Sequence, residues 1–137
     1  MEYHFGRTID HLHLVVSDLE MSKRFYRAVL LSLGRELSGE GDGYFWADEL
    51  FVSEGERTSR VHFAFQADGE EAVRRFHAAG LAAGGEDNGA PGERHYHPGY
   101  YAAFVFDPDG NNVEAVYHGP STRSAGSVVV TPVGQGP

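Results

Sequence analysis

Cysteine is absent from this chain of 137 residues. That absence removes disulfides, thiolate metal ligands and a cysteine nucleophile together. Long apolar runs are missing too. None approaches the roughly 20 residues that a bilayer-crossing helix needs, and the opening MEYHFGRT lacks the charged-then-apolar layout of a secretory signal. A soluble, cytoplasmic protein is the expectation. Cations are scarce: 11 Lys and Arg face 20 Asp and Glu, for a net charge of -9. No basic stripe is available for a nucleic acid or an anionic membrane, so neither is an expected partner.

What remains is enough for one globular domain. Hydrophobic residues make up 41% of the chain and aromatics 12%, which suffices for a core, while 18 glycines suit a turn-rich fold containing strands. The chemical resource left by the missing cysteine is the set of eight histidines.

The chain reads as an α+β protein in two similar halves. TIDHLHLVV, residues 8–16, alternates polar and apolar side chains as a strand does. Ser17 followed by Glu20 has capping-box spacing and predicts a helix start. Ser22, Phe25, Tyr26, Val29 and Leu33 fall on one face of that helix, and Gly34 is its expected stop. GRELS, GYFWAD and ELFVS follow as three short strands, with Phe45 and Trp46 expected to pack in the core. The second half repeats the order. RVHFAFQA is a strand, Asp68 and Glu71 repeat the capping-box spacing, GEEAVRRFHAAG is a helix, and YYAAFVF and NNVEAVYH flank the turn DPDG. Sliding the chain by 62 − 11 = 51 residues lays His11 on His62, Arg24 on Arg75, Phe25 on Phe76 and Gly34 on Gly85. Such self-similarity points to duplication. Module one covers about 8–53, module two about 59–118, and the tail 119–137.

Within FDPDGNNVEAVYH, Val113, Ala115, Val116 and Tyr117 surround a single acid, Glu114. A carboxylate in a strand bound for a core must reach the surface, find a partner or meet a cation, because burying it alone is costly. Alternation places His13 and Val15 on the face of His11, Ala64 and Gln66 on that of His62, and Asn112 on that of Glu114. Gly84 to Tyr101 is the longest predicted loop. Its Gly and Pro content argues against regular structure, and His95, His97, Tyr100 and Tyr101 equip it for binding or proton transfer. The tail reads as mostly irregular, and its SVVVTPV stretch has three readings: an added edge strand, an arm for a partner subunit, or disorder.

IDHLHLVVSDLEMSKRFYRAVL, VHFAFQADGEEAVRRFHAAG and DPDGNNVEAV resemble the vicinal oxygen chelate superfamily, over about residues 8–118. That superfamily contains glyoxalase I, extradiol dioxygenases, fosfomycin-resistance enzymes and bleomycin-binding proteins. The resemblance implies two βαβββ modules whose curled sheets form a cup around a divalent metal, Fe, Mn, Zn, Ni or Co. It implies His11, His62 and Glu114 as ligands, and a homodimer in which the cup lies within one chain or is shared between two. Two imidazoles and one carboxylate leave positions open on a six-coordinate metal for a substrate offering two oxygens. Glu114, His13 and Tyr101 are the candidate catalytic groups, and His97, Tyr100, Phe104, Gln66 and Asn112 the candidate substrate contacts. Glyoxalase I carries a fourth ligand, a Glu on the last strand of module one. Here that strand is ELFVS with Glu49 and Glu54 at its margins, so three ligands are expected. The leading expectation is a glyoxalase-like enzyme of lyase or isomerase type. The alternatives are an Fe(II) extradiol dioxygenase and a metal-free antibiotic-binding protein. Fosfomycin resistance is a weaker fourth: Arg94 and Arg123 offer anion contacts, but Phe104 stands where that group has a Tyr.

Overall fold

The computed structural model describes residues 1–134. The first module runs β1 (Leu12–Val16), α1 (Leu19–Ser32), β2 (Gly39–Gly41), β3 (Tyr44–Ala47) and β4 (Leu50–Glu54). The second runs β5 (His62–Gln66), α2 (Glu70–Ala82), β6 (Glu86–Glu93), β7 (Tyr101–Phe106) and β8 (Asn112–Tyr117). Each module folds into one four-stranded sheet, ordered β1-β4-β3-β2 and β5-β8-β7-β6. In both, the first strand lies parallel to the last and the other pairings are antiparallel. The duplication seen in the sequence is therefore a duplication of topology.

Helix α1 forms where the apolar spacing predicts, and Ser22, Phe25, Tyr26, Val29 and Leu33 are all buried. Its cap differs from expectation. Asp18, not Ser17, accepts from the Met21 N–H at 3.1 Å, because the Ser17 N–H is turned toward Asp109 of the second module. At the other end the Arg35 N–H returns to the Leu30 carbonyl at 2.9 Å, which needs the positive φ of 80° that Gly34 supplies. In α2 the predicted Asp68 cap is replaced by Gly69 without a side-chain cap, and Glu70 and Glu71 in the first turn complement the helix dipole instead.

Three strand expectations are also corrected. The first strand begins at Leu12, so residues 8–11 lie ahead of the ladder. The strand expected at GRELS forms later, at Gly39–Gly41, where Trp46 pairs with Gly39 and Tyr44 with Gly41. Half of the predicted long loop is strand: β6 pairs with β7 across two register shifts, between Asp87 and Gly89 and between Gly89 and Gly92. Long-range pairing gives this Gly-rich segment the order that its own composition does not.

Both helices and one face of each sheet share a single core. Leu14, Val16, Phe45 and Val52 enter it from the first sheet, and Ala103, Val105, Val113 and Ala115 from the second. Buried polar groups tie the modules together. The Tyr26 hydroxyl donates to Asp107 Oδ2 at 2.5 Å, and Asp107 is held by the Asn111 amide and the Asp109 N–H. The opposite faces of the two sheets are directed away from this shared core. Beyond His118 the described tail is exposed and carries no strand, with Val128, Val129, Val130 and Val133 in solvent; residues 135–137 lie outside the described residues. Among the described residues no helix is long and apolar enough to cross a membrane.

Candidate functional site

Strand register decides what each open sheet face carries. On the second sheet His62 pairs with Asn112, Ala64 with Glu114, and Glu114 with Phe104. All five side chains stand on the face away from the helices, as alternation predicts for His62, Ala64, Gln66, Asn112 and Glu114. Glu114 is only 2% exposed, yet it is not alone. Its Oε1 lies 2.8 Å from His62 Nε2, and its Oε2 accepts a hydrogen bond from the Tyr100 hydroxyl. Burial and the neighbouring Glu114 charge push the Tyr100 phenol well above its ordinary range, so it stays protonated as a donor. Phe104 meets the His62 imidazole edge-on at 5.8 Å between centroids.

Tyr100 is surrounded by further rings. Tyr96, His97 and His118 each lie edge-on to it at 5.0–5.3 Å. His97 Nε2 and His118 Nδ1 are 2.9 Å apart, so one ring donates to the other. Burial holds the His118 pKa below its usual value, and the nearby His97 adds to this. At opposite ends of the face, Asn112 Oδ1 accepts from the Asn88 amide at 3.0 Å beside His62, and Gln66 Oε1 accepts from Arg123 of the tail.

The expectation at Tyr101 is corrected. Tyr101 pairs with Tyr117 and turns toward the helices, where its hydroxyl accepts from Arg74 at 3.1 Å. Parity along the strand puts it on the opposite face from Glu114. Trp46 is corrected in the other direction. Phe45 is fully buried, but Trp46 stands on the open face of the first sheet, with its ring lying over Gly39.

His11 and His13 belong to that first open face, where they line a cleft of about 310 Å³ with Trp46, Asp48 and Phe51. The Asp10 carboxylate lies 2.7 Å from His11 Nδ1, leaving Nε2 free to face outward. His13 Nε2 is 2.7 Å from Ser53 Oγ and its ring meets Phe51 edge-on. Tyr44 stacks on both Trp46 and Phe51. One sheet thus supplies an aromatic wall with two imidazoles, and the other an acid, an imidazole and a phenol. The two walls do not meet within one chain: among the described residues no group of three His, Cys, Asp or Glu is placed to hold a metal.

Several contributors lie outside the sequence expectations. Asp10, Ser53, Phe51 and His118 lie inside segments read as strand or motif, but nothing in those segments assigns them a role. Position along a strand, once the register is known, is the signal that finds Phe51 and Trp46.

Comparison with known proteins places this arrangement. The family model described as Glyoxalase/Bleomycin resistance protein/Dioxygenase superfamily matches residues 8–115. A glyoxalase/bleomycin resistance protein from Albidiferax ferrireducens T118 is 30% identical, with a TM-score of 0.65 over 78% of this chain and 95% of its own. Lactoylglutathione lyase from Agrobacterium tumefaciens is 22% identical, with a TM-score of 0.59 over 81% and 93% of the two chains. The oxidase ChaP-H2 is also 22% identical, with a TM-score of 0.59 over 90% and 98%. At that identity the last two are alike in fold alone. Among curated proteins none matches the chain.

Proposed function

Because the chain belongs to the Glyoxalase/Bleomycin resistance protein/Dioxygenase superfamily, we propose that it is a divalent-metal-dependent, glyoxalase-like enzyme acting on a small oxygenated molecule. Its site is shared by two copies. One copy contributes His11 from just ahead of its β1, and the other contributes His62 and Glu114 from its second sheet.

The observation that carries this reading is the buried Glu114 on an open sheet face, 2.8 Å from His62. A buried carboxylate costs several kcal/mol unless it is paired, so a sequence that keeps one beside an imidazole on the face turned away from the core is suited to a cation or a proton in transit. The donor set fits a metal in kind: two neutral imidazole nitrogens and one carboxylate, with His11 oriented by Asp10 as a ligand imidazole is oriented by a second carboxylate. It fits in number only when a second copy supplies His11. When bound, the metal would polarise substrate oxygens and stabilise negative charge developing on them.

The chain's own groups do the rest. The Tyr100 hydroxyl holds Glu114 Oε2 and fixes the carboxylate against the sheet. Glu114 would take the proton from the substrate, and His13, on the open face of the other copy's first sheet, would return one. Phe104, Trp46 and Phe51 exclude water from the space between. Lyase or isomerase chemistry by proton transfer needs no more than these groups.

A second reading is favoured by one observation: both Glu114 oxygens already have protein partners, so the carboxylate is satisfied without a cation. A metal-free ligand-binding protein follows from that. Elemental analysis of protein purified without chelator or metal resin separates the two. The enzyme reading expects near-stoichiometric metal that falls sharply in Glu114→Gln. Native protein that is metal-free, and remains so after incubation with Fe(II), Mn(II), Co(II), Ni(II) and Zn(II), would sink it.

A further inference from the structure

We propose that Arg94 is an oxyanion-recognising residue, and that the ligand of the second sheet's open face carries a carboxylate or phosphoryl group. This rests on reading that face as a substrate wall.

The guanidinium of Arg94 sits 5.3 Å from the centroid of Phe104. Phe104 is the strand partner of Glu114 and touches His62, so the cation stands on the same face as the acid and the imidazole. The backbone ties it to the same cluster, since the Arg94 N–H donates to the Tyr100 carbonyl at 2.8 Å. The side chain is partly buried, and among the described residues no carboxylate lies within ion-pairing distance of it. In a chain with 20 acidic residues, a cation placed there without one is available to an anion from outside.

The seat is built for that side chain. Strand β6 departs from regular pairing twice, and the guanidinium folds back along the irregular stretch. Nη2 donates to the Ala90 carbonyl at 2.8 Å, and Nη1 to the carbonyls of Gly92 at 2.9 Å and Glu93 at 3.4 Å. A β-carbon at Gly89 or Gly92 would lie 3.2 Å from the guanidinium nitrogens, closer than side chains ordinarily pack. Glycine at both positions admits the cation. The three carbonyl contacts engage three of the five N–H donors, so 5 − 3 = 2 remain, the Nε–H and one on Nη2. Two adjacent donors on a fixed plane suit bidentate contact with a carboxylate or phosphoryl group. Carbonyl contacts orient the group without neutralising it, and Phe104 shields one side of it from water.

The test uses full-length protein stripped of metal and checked by elemental analysis, so that no bound cation answers for the arginine. Inorganic phosphate and acetate are titrated separately at constant ionic strength against chloride, following the Arg94 Nε–H and the Phe104 amide by ¹H–¹⁵N NMR. Expected are saturable shifts at both positions, with phosphate and acetate ranked by affinity to tell which oxyanion the seat prefers. Arg94→Gln should weaken binding on the order of tenfold or more, and Arg94→Lys by less. The absence of a saturable response at the wild-type Nε–H would overturn the proposal without relying on any variant. So would equal affinity in Arg94→Gln, or a dimer that dissociates in Arg94→Gln while the phosphate response persists, since the arginine would then be an interface residue. Metal content is measured on separate protein, so loss of the metal reading and loss of the anion response remain distinguishable.

Discussion

Phe51 holds in the first sheet the position that Glu114 holds in the second. Leu12, which follows His11, pairs with Leu50, and Phe63, which follows His62, pairs with Val113; Phe51 and Glu114 are the next residues on those partner strands. Trp46 and Phe104 are counterparts by the same register, as partners of Phe51 and Glu114. The duplicated scaffold therefore has two pairs of equivalent positions, His11 with His62 and Phe51 with Glu114, and three of the four carry His, His and Glu. The fourth is aromatic.

Replacing Phe51 by Glu should complete a four-ligand set in a site shared by two copies. The expected outcome is slower loss of metal to a chelator, by about tenfold, followed as metal release over time. The loss of stacking on Tyr44 should cost about 1 kcal/mol of stability. Metal release unchanged in a variant that remains folded would remove Phe51 from the metal's surroundings.

The sequence exposes this scaffold unevenly, for physical reasons. The buried face of α1 is legible because a helix repeats its apolar residues over four turns, and Phe25, Tyr26 and Val29 cannot all be placed elsewhere. The parity of His62, Asn112 and Glu114 is legible because strands alternate. Tyr100 and Tyr101 are adjacent, and only the point where β7 begins decides which of them turns toward Glu114. Strand β6 is illegible because its glycines have no preference of their own. Arg94 owes its place to carbonyls in that irregular strand, which no local pattern announces. His62 and Glu114 come together within one chain, whereas His11 stands on the other sheet, and sequence spacing says nothing about which copy faces which.

The buried Tyr26–Asp107 contact predicts a pH-dependent stability. Burial, and next the Asp107 charge, raise the Tyr26 phenol well above its usual range. A raised folded-state pKa gives stability that is present in full below the unfolded value near 10 and is lost as pH rises toward the folded one. Tyr26→Phe should therefore lower stability at pH 7 by about 1–3 kcal/mol, by leaving Asp107 short of a donor. The difference from wild type should shrink above pH 10. Urea unfolding midpoints at pH 7 and pH 10.5 measure both, and a difference that does not narrow at high pH would contradict the assignment.

The His97–His118 contact predicts the opposite trend at the acid end. Burial lowers the His118 pKa, so the unfolded chain takes up a proton before the folded one does. Stability from this contact is complete above the unfolded value near 6.5 and falls as pH drops through it. Between pH 7 and pH 5 the protection of the Gly99 and Tyr100 backbone amides, corrected for the fall of the intrinsic exchange rate with pH, should decrease in wild type. In His118→Gln that loss of protection should largely vanish. Hydrogen exchange followed by mass spectrometry reads the effect, and the same acid response in both proteins would assign it to another group.

The proposed sharing of the site between two copies makes a quantitative prediction about mixed dimers. If His11 comes from one copy and His62 with Glu114 from the other, each variant alone, His11→Ala or His62→Ala, damages both sites of its homodimer. In a dimer of one His11→Ala chain and one His62→Ala chain, the two lesions fall in the same site. The other site keeps an intact His11, His62 and Glu114. Random reassortment makes about half of the dimers mixed, and each mixed dimer has one good site of two, so about a quarter of wild-type metal binding and activity should return. Were the triad drawn from a single chain, every site in the mixture would carry one lesion and nothing would return. Metal content after co-refolding the two variants, against the same variants refolded separately, distinguishes these outcomes. Recovery near a quarter requires His11 to cross between copies, and recovery at the level of the separate variants refutes the shared site.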